Sequence, residues 1–215
     1  MATVRSHGLF CRPVRPPFMQ RELPTHYTPT AKVLHWLIAV FGFAQLSLGT
    51  WMIGIPKTPP GVRASWFNLH KSIGITLGLV ILLRLAWRLT HRAPPLPEAI
   101  PGWQRSLAKF CHFALYVCMV AIPLSGYLGS SFTNYPIKYF GHTLPQWGWD
   151  SPALKELCSR VHLTAIVIFV ALIGLHVAAV LKHLLIDRDG IFQRMGWTRR
   201  AVERVPGGSG PGPAQ

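Results

Sequence analysis

Long uncharged apolar runs, separated by short basic or Pro/Gly-rich connections, organise this chain. Val33 to Ile55 holds 23 residues without Asp, Glu, Lys or Arg. Ser72 to Leu83 is a shorter clean run, extended by Leu85, Ala86, Trp87 and Leu89 around Arg84 and Arg88. Phe110 to Ile137 is uncharged over 28 residues, and Val161 to Leu181 over 21. About 20 apolar residues cross a bilayer as a helix. The pattern predicts an all-α membrane protein, an up-and-down bundle of four transmembrane helices. The spans are expected near residues 31–55, 67–90, 106–131 and 157–186.

The flanks read differently. Residues 1–27 are rich in Arg and Pro and lack the apolar core of a signal peptide, so a disordered or interfacial tail is expected. Thr28 and Thr30 are both candidates to cap the first span. The bundle itself is expected over 28–196, with a Pro/Gly-rich tail over 197–215. Pro-rich connections follow spans one and two. Residues 138–158 form the longest loop, punctuated by Gly141, Pro145, Gly148 and Pro152.

Charge sets the orientation. The formal net charge of +15 would suit a nucleic-acid partner if it formed one patch, but it is divided by the spans. Sixteen basic residues fall with the two termini and the connection between spans two and three, against six on the opposite side. The excess places both termini in the cytoplasm by the positive-inside rule and argues for topology, with no nucleic acid. Trp36, Trp87, Trp103 and Trp197 fall on one side, and Trp51, Trp66, Trp147 and Trp149 on the other, as interfacial belts do. The four cysteines give no disulfide framework and no Cys-x-x-Cys-His haem attachment motif.

The candidate chemistry lies in histidines. His162 and His176 sit 14 residues apart at the two ends of an uncharged segment. On a helix they leave nearly the same face, separated by roughly 21 Å along the axis. Ionisable groups at such depth are costly and point to function. His35 lies near the cytoplasmic end of span one, and His70 at the outer start of span two. Depth sorts these into an inner pair, His35 with His176, and an outer pair, His70 with His162. His112, on span three, competes with His35 for the inner position, and spacing does not choose between them. His7, His26, His91 and His142 lie in tails or loops, where a solvated side chain is the ordinary role.

A structural zinc site takes four close ligands. Here two imidazoles meet at each depth and no acid lies in any span. Two axial imidazoles complete the iron shell of a haem. Without thioether attachment that haem is b-type. Gly74, Gly78 and Gly174 remove side-chain bulk, either for a macrocycle or for helix packing. Arg84 and Arg88, one turn apart, are candidates to hold haem propionates or to snorkel to the interface. Lys71 and Arg160 stand beside the outer histidines in the same way.

Several segments together resemble the bacterial cytochrome b561 family. They are Lys32-Val-Leu-His-Trp36, Asn68-Leu-His-Lys-Ser-Ile-Gly74 and Leu82-Leu-Arg-Leu-Ala-Trp-Arg88. Span three adds Leu107 to His112, Tyr116 and Ile122-Pro-Leu-Ser-Gly126; span four adds His162 and Gly174-Leu-His176. The resemblance covers residues 27 to about 196. It implies a four-helix protein of the bacterial inner membrane with two non-covalent haem b groups. His35 and His176 would ligate one and His70 and His162 the other. It also implies transfer of electrons to the quinone pool. In the superoxide oxidase branch, electrons pass from superoxide to ubiquinone.

The expected activity is therefore a superoxide:quinone oxidoreductase. Lys57, Arg63, Lys71, Lys138, Lys155 and Arg160 would attract the small anion on the outer side. His183, His112 and Lys109 are candidates for proton supply to a quinone near the cytoplasmic interface. Two other classes fit the same residues. One is a cytochrome b subunit linking a partner dehydrogenase to the quinone pool. The other is a haem-free, histidine-lined transporter.

Overall fold

The computed structural model describes residues 26–59, 61–91, 93–96 and 100–197. Four long helices dominate: α1 (Pro29–Ile53), α2 (Val62–Thr90), α3 (Gly102–Ser131) and α4 (Pro152–Leu181). All four are long and apolar enough to cross a membrane. α4 continues through a π-helical turn, Lys182–Asp187, into a short 3-10 turn, Phe192–Arg194. Most of both expected tails lies outside the described residues.

The helices begin earlier than the apolar runs do, because capping and proline set the starts. Thr28 Oγ1 accepts from Ala31 N at 3.3 Å, and Pro29 opens α1. Ser151 Oγ accepts from Leu154 N at 3.4 Å, with Pro152 at the first turn of α4. Proline is pre-set for that position and has no N–H to leave orphaned. α2 starts at Val62, not near 67, so it is about 43 Å long by the helical rise. That exceeds a hydrocarbon core of about 30 Å.

The packing is inverted relative to a soluble bundle. Val40, Phe43, Leu79, Leu83, Phe113, Leu163 and Val167 all point outward, while Ser72, Ser125 and Ser131 are buried. Lipid is as apolar as leucine, so large side chains gain nothing by facing inward, and small residues let helices approach. A Cβ on Gly78 would lie 3.2 Å from Pro123 of α3, and one on Gly74 would lie 3.1 Å from Gln45 of α1. These two glycines therefore serve helix contact, not open space for a ligand. Gly174 has nothing within 4 Å of its Cβ position.

α1 packs on α2, α2 on α3 and α3 on α4. Among the described residues, α4 has no comparably extensive packing on α1 or α2. The bundle is thus closed along three seams and open along the fourth.

The loop after α3 contains a hairpin that the sequence reading treated as irregular chain. β1 (Ile137–Tyr139) pairs antiparallel with β2 (His142–Leu144), Tyr139 opposite His142. The two turn residues, Phe140 and Gly141, have φ of 46° and 93°. Two positive φ values are the mark of a type I′ turn, whose twist suits a hairpin. Phenylalanine is an unusual first residue there, so the sequence carried only half the signal. The hairpin is pinned to α2. Ser72 Oγ accepts from Phe140 N at 2.9 Å and lies 3.2 Å from Lys138 O and 2.8 Å from Asn68 O. Tyr139 and Thr76 pair through their hydroxyls at 3.1 Å.

At the other end the start of α1 meets residues 195–196. Lys32 Nζ donates to Gly196 O at 2.8 Å, Trp36 Nε1 to Met195 O at 3.2 Å, and Arg194 to Pro95 O at 2.7 Å.

Ser72→Ala leaves the Phe140 N–H without its buried acceptor. The cost is expected to be about 1–3 kcal/mol, concentrated on the hairpin. Limited proteolysis should cut between residues 137 and 144 faster in the variant, with the four helices still intact.

Candidate functional site

α4 supplies two site histidines from one face, as the 14-residue spacing requires. Both rings are half-buried, as are His35 and His70.

Toward the end where residues 195–196 meet α1, the His35 and His176 rings stand 6.5 Å apart, centre to centre, at 67°. His112 of α3 lies closer, 5.3 Å from His176 at 70°. An imidazole–metal bond is about 2 Å, so two rings facing one ion stand roughly 6 Å apart between centres. The His35–His176 separation is close to that of two rings on opposite sides of one ion, and the His112–His176 separation is shorter than that. Arg84 lies within electrostatic reach of His35 and His112, and Arg88 within reach of His112. Arg84 also donates to Ala31 O of α1 at 2.8 Å. One of its N–H groups thus holds α2 to α1, a role the sequence did not reveal.

Toward the hairpin end, His162 is the best-defined ring. Its Nδ1 lies 2.8 Å from Ile122 O and 3.3 Å from Ser125 Oγ. A carbonyl only accepts, so Nδ1 carries the proton and Nε2 keeps its lone pair. A hydrogen bond of this kind, from the nitrogen away from the metal, fixes a ligating imidazole. Pro123 follows Ile122 and lacks an N–H for the preceding turn, where Ser125 Oγ bonds Ala121 O at 2.6 Å. His70 lies within electrostatic reach of His162.

Two glycines against these rings were not singled out for that contact in the sequence. A Cβ on Gly126 would come 3.1 Å from His162 Cε1, and one on Gly49 would come 3.2 Å from His70 Cε1. Gly126 appeared only within a longer motif, because nothing in a sequence tells which glycine abuts a ring on another helix.

The other candidates lie outside this seam. His183 bonds Asp189 at 2.6 Å and stands 3.1 Å from Asp187, which also pairs with Lys182 at 2.5 Å. Arg160 pairs with Glu156 at 2.9 Å. Lys109 is exposed. His91, expected as a solvated loop residue, stacks on Trp87 at 3.8 Å.

Residues 26–197 match the family model described as prokaryotic cytochrome b561. The chain belongs to that family. It is 33% identical to cytochrome b561 homolog 2 of Escherichia coli K12 over 178 residues, 80% of this chain and 92% of the relative. Cytochrome b561 homolog 1 of the same organism is 25% identical, covering 79% and 96%. A probable superoxide oxidase, CybB, of Yersinia pestis is 25% identical, covering 75% and 90%.

This b561 chain is accordingly a prokaryotic membrane electron-transfer protein, and its family implies b-type haem. A haem-free transporter does not fit such a family. The residues present suit the group. They offer paired imidazoles across an unpacked seam, a ring spacing open to an ion, and one imidazole already held in the tautomer that leaves Nε2 free.

Gly126→Ala should force the His162 ring to give by a few tenths of an ångström, whereas a Cβ on Gly42 meets nothing within 4 Å. Haem per protein, measured as the pyridine haemochrome, is expected to fall in Gly126→Ala and to stay at the wild-type level in Gly42→Ala.

Proposed function

We propose that this cytochrome b561 carries electrons from superoxide outside the bacterial inner membrane to ubiquinone near its cytoplasmic face. His35 and His176 hold one haem b, and His70 and His162 hold a second. When bound, the two haems supply one-electron redox chemistry at two depths along α4, roughly 21 Å apart by the helical rise. The observation that carries the reading is the His35–His176 pair, 6.5 Å apart across the seam where α4 is not packed on α1.

Each superoxide gives up one electron and leaves as dioxygen. Ubiquinone takes two electrons and two protons, so two superoxide anions serve one quinone. The hairpin end suits the anion. Lys57, Arg63, Lys71, Lys138, Lys155 and Arg160 steer it by a field that weakens with salt, although Glu156 already engages Arg160. Both termini and the opposite end then face the cytoplasm, where basic residues are in excess. There His183, set between Asp187 and Asp189, is the proton donor toward the quinone. Lys109 and His112 are secondary candidates for that role. Arg84 and Arg88 hold haem propionates, Arg84 while also bonded to α1. The probable superoxide oxidase among the relatives supports the choice of electron donor.

His162→Ala and His176→Ala are each expected to lose one haem of two, read from haem content and reduced-minus-oxidised spectra. Wild-type protein should be reduced by a superoxide pulse within the stopped-flow dead time or shortly after. It should then be reoxidised by a short-chain ubiquinone. Retention of both haems in both variants would overturn the ligand pairs; no reduction by superoxide would overturn the donor.

A further inference from the structure

His70 and His162 face the same depth but are not held alike. His162 Nδ1 has its carbonyl at 2.8 Å. His70 Nδ1 is buried with no partner. A ligating imidazole nearly always donates its second N–H, because that bond fixes the ring and raises its basicity. A buried N–H left unpaired is costly.

The acceptor that matches it is on α1. Gln45 Nε2 donates to His70 O at 2.5 Å, while Gln45 Oε1 is buried and also without a partner. Gln45 and Gly49 are one turn apart, so they share a face of α1. That face meets the ring on its Nδ1 side: a Cβ on Gly49 would lie 3.2 Å from His70 Cε1 and 3.7 Å from its Nδ1. One turn along α2, Gly74 leaves room for the amide, since a Cβ there would lie 3.1 Å from Gln45 Nε2. A lone amide in an uncharged span is thus pressed against the backbone of His70, its spare oxygen an acceptor and the ring's spare nitrogen a donor.

We propose that Gln45 is the positioning residue of His70, its carboxamide clamping that histidine at two points. Nε2 holds the main-chain carbonyl, and Oε1 receives the Nδ1–H when Nε2 of the ring is engaged by iron. The role rests on His70 being a haem ligand. The clamp does not touch the reacting atoms. It sets the angle of the imidazole and the electron density it offers.

The test compares Gln45→Met, similar in shape but without the amide acceptor, with Gln45→Glu, which keeps a carbonyl oxygen. Both are measured in the full-length, haem-loaded protein beside His70→Ala. Redox titration should show one midpoint potential rising in Q45M and the other unchanged, with a shifted g-maximum for one low-spin ferric haem. Q45E should show no such rise. A packing role predicts equal shifts in the two variants, and that result, or no shift in either, would overturn the clamp. Should Q45M not accumulate, Gln45→Ala provides the same comparison. If His70→Ala keeps both haems, the ligand assignment itself fails and the clamp with it. If His70→Ala loses one, the clamp alone is on trial.

Discussion

An imidazole inside a bilayer has no water to satisfy either nitrogen, and the bundle is arranged around that constraint. Lipid cannot hydrogen-bond, so each buried polar atom needs a partner within the protein or on a bound group. His162 obtains one from the carbonyl of Ile122, next to a proline that already disturbs the ladder of α3. His35 and His176 face each other at 6.5 Å across a seam with little direct helix packing. Packing α4 tightly onto α1 would remove the space between those rings, so the open seam and the histidines are one feature.

The remaining architecture keeps that seam open without letting the bundle come apart. α3 is the scaffold: it packs on α2 and, most extensively, on α4. Pro123 sets the approach of α2 at Gly78, and Gly126 lets the His162 ring lie close to α3. The hairpin ties α2 to the α3–α4 connection at one end, through the buried Ser72 hydroxyl. Arg84 ties α2 to α1 toward the other. The fixings are polar and sparse, as expected where apolar burial between helices offers no net driving force.

Most of this was legible in the sequence, for reasons that differ by element. Uncharged runs and the histidine spacing carry the spans and the two depths directly, because bilayer thickness and helical rise are fixed. Helix starts were missed by several residues because capping at Ser151 and the early start at Val62 lie outside the apolar runs. The hairpin was missed because Phe140 takes a backbone conformation usually left to Asn or Gly. Gly74 and Gly78 were read as room for a macrocycle or as packing, and their neighbours decide for packing. Gln45 drew no attention, since one amide in an apolar run has no periodicity; only the two unpartnered atoms across α1 and α2 set it apart.

The contacts between the start of α1 and residues 195–196 bear on how such a protein is made. Lys32 and Trp36 donate to carbonyls that lie 164 and 159 residues later. A ribosome releases the first span long before those acceptors exist. The indole and ammonium groups beside His35 must therefore wait at the interface until the fourth span has entered the membrane. Docking of residues 194–196 onto α1 then follows entry of the fourth span, and it falls beside His35. Membrane insertion and the finishing of the surroundings of His35 are in this way a single ordered event.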